Sequence, residues 1–267
     1  MITNKNIVLT GASSGIGLEV LKLLAKGDGN VILAPSRTAE EKLKDFAENV
    51  IPFNADTGTQ EGVDSIFEKA KEVFGGAKID IFYANAGFPY YEEFNYTDWA
   101  RIERIFNVNT VSPIYTYAKY AEHLKGREGI LAYTVSAIGK MAMPGYALYS
   151  ASKFGLQGFQ EAIRLEANNN LQITCLYPIA TNTNFFKVAN EVEFEKPFPV
   201  QQPDVVARKM VDGIEKGKKF VSPSNLFQLS KVLMGICPPV RTVYWKLETN
   251  KLNRFKAKLN NLNRGEK

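Results

Sequence analysis

"NIVLTGASSGIG", residues 6–17, runs a short apolar stretch straight into a loop with glycines at 11, 15 and 17. An apolar run of this length reads as a buried strand, and the segment after it, 15–26, has helical period. Strand, glycine loop and helix in that order make a candidate dinucleotide site. Gly11 permits the sharp turn, Gly15 lets the backbone approach phosphates, and Gly17 lets the helix pack on the strand. The helix N-terminus then faces a pyrophosphate. A glycine-rich turn with no ligand is the bland alternative, and the position at the first strand favours the site. The spacing is T-G-x-x-x-G-x-G, not G-x-G-x-x-G.

The alternation continues outward from this unit. Apolar runs at 31–35, 50–54, 78–84, 129–135, 171–178 and 218–223 read as strands two to seven. Helix-period segments at 38–49, 98–125, 147–168 and 203–216 lie between them. Val63, Ile66, Phe67, Ala70, Val73 and Phe74 form a further amphipathic stripe. Repeated strand–helix–strand units predict the α/β class, a seven-stranded parallel sheet wound with helices on both faces. Continuously apolar strands fit a sheet covered on both sides. A single domain is expected over 1–223. A basic, leucine-spaced, helical extension follows over 224–267, broken at Pro238-Pro239 and not a domain of its own.

With 267 residues and 45% hydrophobic content the chain can bury a substantial core. The formal net charge is +5, much of it near the C-terminus, and no nucleic-acid motif accompanies it, so no nucleic-acid partner is expected. Cys175 and Cys237 have no metal-ligand spacing and there is a single histidine, so no metal is expected. His123, beside Lys119, Glu122 and Lys125, reads as a solvated surface residue. Nothing demands a disulfide. "MITNKNIVLTG" lacks the apolar stretch of a signal peptide, and no apolar run reaches 18 residues. A cytoplasmic location is the expectation.

"YSASK", 149–153, places Tyr149 and Lys153 at i and i+4, side by side on one helix face. Alone, such a pair is commonly a solvated surface. Here it stands with Asn109 in "FNVNT", Ser136 in "TVSA", "NAG" at 85–87 after the fourth strand, and Asp56 in "NADTG". In that order, over roughly residues 4–222, the chain resembles the short-chain dehydrogenase/reductase family in its compact subtype. The resemblance implies a single-domain Rossmann fold and an oxidoreductase that interconverts an alcohol and a carbonyl. It implies a catalytic tetrad of Asn109, Ser136, Tyr149 and Lys153. It also implies cofactor contacts from Gly11, Ser13, Ser14, Gly15, Ile16 and Gly17, from Asp56 at the adenine, and from Asn85, Ala86 and Gly87. Tyr149, Lys153, Ile179, Thr181 and Thr183 complete that set. The family usually has Pro-Gly after strand six; this chain has Pro178-Ile179, which alters the expected loop shape.

The chemistry gives those residue types a reason. Hydride transfer to a carbonyl leaves negative charge on oxygen, so a proton must be supplied. A free tyrosine, pKa about 10, donates at neutral pH but is a poor base. A neighbouring ammonium favours the phenolate, so Lys153 is expected to lower the Tyr149 pKa, and by resemblance to bond the nicotinamide ribose. Ser136 would hold the substrate oxygen. Pro113 lacks the N–H that would bond the Asn109 carbonyl, which leaves two readings: a carbonyl freed to hold a water, or a plain kink. The aromatic groups in 88–91 and 185–186, with Met141 and Met143, suit an apolar substrate pocket at the C-terminal sheet edge.

Cofactor choice is read at the end of strand two, "VILAPSR". NAD-selective sites place an acid there; this chain has Ser36 and then Arg37, which suit a 2′-phosphate. NADP(H) is therefore expected over NAD(H), with Glu40 and Glu41 serving the next helix's dipole. The long helices at 98–125 and 147–168 match those that pair into a homodimer or homotetramer in the family. The tail has two readings, a helix folded over the substrate site or a partner subunit, which is favoured, or a peripheral contact with an anionic membrane. A nucleotide-binding scaffold without turnover is the alternative function; an intact tetrad argues against it. A sugar-nucleotide epimerase of the longer subtype would need a different glycine spacing and a larger C-terminal region.

Overall fold

The computed structural model describes residues 1–166, 170–190 and 192–265. Its seven strands are β1 (Asn6–Leu9), β2 (Val31–Ser36), β3 (Val50–Asn54), β4 (Ile81–Ala84), β5 (Gly129–Thr134), β6 (Leu171–Leu176) and β7 (Phe220–Val221). They form one parallel sheet in the order β3-β2-β1-β4-β5-β6-β7. The order reverses between β1 and β4, and in open α/β sheets ligands bind outside the carboxyl ends of the strands at that crevice. The loops after β1 and β4 both leave there.

Two apolar layers bury the sheet. One side holds α1 (Gly15–Leu24) and α8 (Pro203–Glu215), whose Val20, Leu21, Leu24, Val206 and Met210 pack on Ile7, Leu9 and Ile32. The other holds α3 (Gln60–Val73), α5 (Ser112–Leu124) and α6 (Ala147–Glu166) over Val8, Leu33, Phe82 and Leu131. The predicted stripe of α3 is buried at Val63, Ile66, Phe67 and Ala70, and Thr59 caps it by accepting from Gly62 N at 3.0 Å. Because strand side chains alternate, Ile7 and Leu9 serve one layer and Val8 the other.

Three expectations are corrected. The helix over 38–49 is one turn, α2 (Ala39–Lys42). After it Leu43 and Phe46 anchor a turn, with Phe46 N on Leu43 O, that brings Val50 into register with Ile32. Packing two apolar anchors over a short link overrides the helical period. The helix over 98–125 is divided into α4 (Trp99–Phe106), a wide turn at Asn107–Val111 and α5. In the wide turn Ser112 N reaches back five residues to Asn107 O, and Pro113, without an N–H, follows at once. His123 is half-buried and hydrogen-bonded, not freely solvated. Its Nε2 accepts from Ile79 N at 2.9 Å, just before β4 begins, and its ring lies against Phe67 and Tyr120. Burial and the nearby Arg127 and Lys125 charges keep it neutral, with its pKa below the ordinary value.

The tail is helical and breaks at the proline pair, as α9 (Asn225–Ile236) and α10 (Pro238–Gly265). α10 packs against the segments around Tyr149, where Tyr244, Leu252, Phe255 and Leu259 join Tyr91, Met143, Tyr146 and Tyr149 in a third apolar cluster.

Candidate active site

The glycine loop owes its shape to two close approaches. Gly11 has φ +67°, and a Cβ there would lie 2.9 Å from Ala86 Cα. A Cβ on Gly17 would lie 2.3 Å from Gly11 O. Neither position tolerates a side chain, so the loop folds tight against the end of β4. Ser14 precedes α1 without capping it, so no Ser14 side chain occupies the first-turn N–H groups that suit a phosphate. Thr10 ties the two loops together: its Oγ1 accepts from Asn85 N and Ala86 N, both at 3.0 Å. Asn85 Nδ2 in turn donates to Thr10 O at 3.1 Å, and its Oδ1 accepts from Thr134 Oγ1 at 2.9 Å.

A cavity of 760 Å³ opens on this crevice. The glycine loop, Ser36 and Arg37 line one end, Asn85, Ala86 and Gly87 the floor, and Ile179, Thr181 and Thr183 the rim. Asp56 lines it too, with its carboxylate gripped by Arg104, whose Nη2 donates to both oxygens at 2.8 Å, and by Gly58 N at 2.8 Å. Burial pushes the Asp56 pKa up, but those bonds and the Arg104 and Arg37 charges outweigh it and hold the carboxyl below its ordinary range. Arg104 escaped the sequence reading, since no pattern links a mid-helix arginine to an aspartate 48 residues away. The Ser36 hydroxyl is buried without a protein partner. A tight glycine cradle, an uncapped helix start and an orphaned hydroxyl beside Arg37 fit a dinucleotide phosphate group.

Ser136, Tyr149 and Lys153 converge at the middle of the cavity. Ser136 follows β5 with φ +120°, a conformation that costs on the order of 1–3 kcal/mol for a residue with a Cβ. Its Oγ accepts from Ile138 N at 3.2 Å and lies beside the Tyr149 phenol. Asn109 is fully buried and does not line the cavity. Its amide clamps the chain after Gly87, donating to Phe88 O at 2.9 Å and accepting from Phe88 N at 3.1 Å. It also donates to Ser152 Oγ at 3.1 Å, between Tyr149 and Lys153 in sequence. Asn109 thus ties the chain after Gly87 to α6 from behind the cavity.

The expected tuning of Tyr149 by Lys153 is corrected. The two share a face, with Lys153 Nζ 5.9 Å from the Tyr149 ring centroid. Burial dominates both: it pushes the phenol up to about 12, opposed by the Ser136 hydrogen bond, and brings the amine down to about 7. Lys153 Nζ donates to Thr134 O at 2.8 Å. Helical spacing places two groups side by side but says nothing of how dry the site is.

The far end of the cavity is apolar, with Met141, Met143, Phe185, Phe186 and, from the tail, Phe227 and Met234. Of the 88–91 aromatics, Phe88 lines the cavity, Tyr90 lies under the Arg101 guanidinium at 3.7 Å, and Tyr91 stacks on Phe194 at 4.0 Å. The expectation of a tail folded over the substrate site named no lining residue; the signal for Phe227 and Met234 was their apolarity in a basic stretch.

The model of the short chain dehydrogenase family matches residues 5–193. An 11-beta-hydroxysteroid dehydrogenase of Pinus massoniana is 28% identical over 81% of this chain, which spans 66% of that protein. A short chain dehydrogenase of Burkholderia cenocepacia in complex with NADP superposes with TM-score 0.74 at 21% identity, covering 89% of this chain and 95% of that one. A Burkholderia phymatum short chain dehydrogenase/reductase in complex with NAD gives TM-score 0.72 at 18% identity, covering 94% and 97%. A family match over most of the chain, on a seven-stranded parallel sheet with a glycine loop at its switch point, places this protein in the short-chain dehydrogenase/reductase family of oxidoreductases.

Proposed function

We propose that the protein reduces, and in reverse oxidises, a carbonyl/alcohol pair on a small apolar molecule, using NADP(H). The observation that carries this reading is one cavity joining the glycine loop, the Ser136–Tyr149 pair and an apolar wall. Solved neighbours bound to NADP or NAD, and a steroid dehydrogenase among the relatives, support a nicotinamide cofactor and an apolar substrate. When bound, the cofactor supplies or accepts the hydride. Ser136 Oγ holds the substrate oxygen, and Tyr149 Oη donates the proton to it. Lys153 and Asn109 hold the geometry behind them. Monitoring NADPH absorbance with a panel of apolar ketones and aldehydes tests the reading. Tight NADPH binding with no consumption on any carbonyl would leave a nucleotide-binding scaffold instead.

The preference for NADP(H) rests on Ser36 and exposed Arg37 at the end of β2, where no acid stands to repel a 2′-phosphate. Arg37→Ala is expected to weaken NADPH binding by about 1.5–3 kcal/mol, the range for hydrogen bonds to charged groups, and to leave NADH nearly unchanged. Titration of both cofactors into both proteins checks it. Equal wild-type affinity for NADH and NADPH would refute the assignment.

A further inference from the structure

α9 has no buried residue, although seven of its 12 residues are apolar. A helix of this composition on a soluble protein ordinarily turns its apolar stripe to the core. Here Phe227, Ser230 and Met234 line the apolar end of the cavity. Leu229, Val232, Leu233 and Ile236 are 67%, 60%, 48% and 79% exposed. At about 100° per residue those four fall within an arc of roughly 100°, beside the cavity-facing arc. Val243 and Leu247, early in α10, are exposed as well.

The charge around this stripe has one sign. From Lys216 to Leu247 the chain contains no Asp or Glu, while Lys231, Arg241 and Lys246 are exposed at or near the stripe in sequence. Glu248, the next acid, is buried and paired with Lys251 at 2.7 Å. No helix among the described residues is long and apolar enough to cross a membrane. A 12-residue helix with an apolar outer face and basic surroundings instead suits lying in a lipid interface. A second copy is a poorer occupant, since a two-fold contact through this region would bring together two segments, 216–247 of each copy, that carry basic charges and no acid to pair them.

We propose that the outer face of α9 docks on an anionic lipid surface, with the apolar end of the cavity beside that surface. Sedimentation of the full-length, NADPH-loaded protein with vesicles tests this. The protein should pellet with phosphatidylcholine–phosphatidylserine vesicles more than with phosphatidylcholine alone. Raising the ionic strength from about 0.1 M to about 1 M, which shortens the Debye length from about 10 Å to about 3 Å, should release much of it. Leu229→Glu combined with Ile236→Glu should cut binding at least about tenfold by removing inserted apolar surface. Lys231→Glu combined with Lys246→Glu should abolish the preference for phosphatidylserine. These side chains are exposed and outside the cavity, so both variants should keep the wild-type melting temperature and NADPH affinity. The proposal fails if wild type does not pellet with phosphatidylserine vesicles, or if Leu229→Glu with Ile236→Glu pellets as well as wild type. It fails equally if light scattering shows a wild-type oligomer that this double variant dissociates, since α9 would then be covered by a second copy.

Discussion

Tyr149→Phe should leave the fold and NADPH binding intact and lower carbonyl turnover at least about a hundredfold, the lower end for a positioned acid–base group. In activation free energy that is about 2.7 kcal/mol. The substitution keeps the ring, which packs edge-on to Phe185 at 5.6 Å and against Tyr146 at 6.3 Å, and removes only the hydroxyl beside Ser136. Ser136 still polarises the substrate oxygen, so a residue of activity persists. Burial holds the phenol up to about 12, which makes it a proton donor throughout the neutral range. Reduction by wild type should therefore be flat near neutrality. Oxidation needs the phenolate and should climb with pH through the alkaline range. Rate profiles in both directions check this, and the Phe variant should show neither limb. Turnover near the wild-type value would remove Tyr149 from the mechanism.

The fold was legible because strand and helix periods are set by local chemistry, and the glycine loop at 10–17 fixed where the sheet begins. The places where the reading failed share a cause. Residues 43–49 carry helical period, yet Leu43 and Phe46 are taken by the core so that β3 can pair with β2. His123 sits among charges in sequence, and only the crossing of α5 over the start of β4 shows the backbone N–H that it satisfies. The candidate site was legible as a set of residue types in order, with all but Asn109 of the named catalytic and cofactor residues lining one cavity. What could not be read was dielectric. Spacing puts Lys153 next to Tyr149, but the water that would stabilise either group in its charged form is excluded by packing from four distant segments: the loop after β5, α7 (Phe185–Ala189), α10 and the segment at Gly87.

That exclusion makes Lys153 a liability to the fold, and Lys153→Met should raise stability while lowering turnover. Lys153 is 2% exposed, and its one hydrogen bond among the described residues goes to the Thr134 carbonyl, with no carboxylate in ion-pair range. The amine falls from 10.5 to about 7 through burial alone. At about 1.4 kcal/mol per pKa unit, keeping it buried at pH 7 costs on the order of 4 kcal/mol. Methionine fills similar volume without charge, but leaves the Thr134 carbonyl without its donor, which takes back about 1–3 kcal/mol. The net gain should be roughly 2 kcal/mol, a rise of roughly 4–8 °C in melting temperature for a chain of this size. The sign follows from proton binding. Between pH 7 and 10.5 the unfolded lysine holds a proton that the folded one has lost, so wild-type stability rises with pH across that window. The advantage of methionine is therefore largest at pH 7 and below, and fades as pH approaches 10.5. Thermal melts of the cofactor-free proteins at several pH values decide the matter. A variant that melts below wild type at pH 7 would show that the buried amine stabilises the fold. A variant that melts higher and turns over poorly would show that the amine is kept for the reaction, against the preference of the fold.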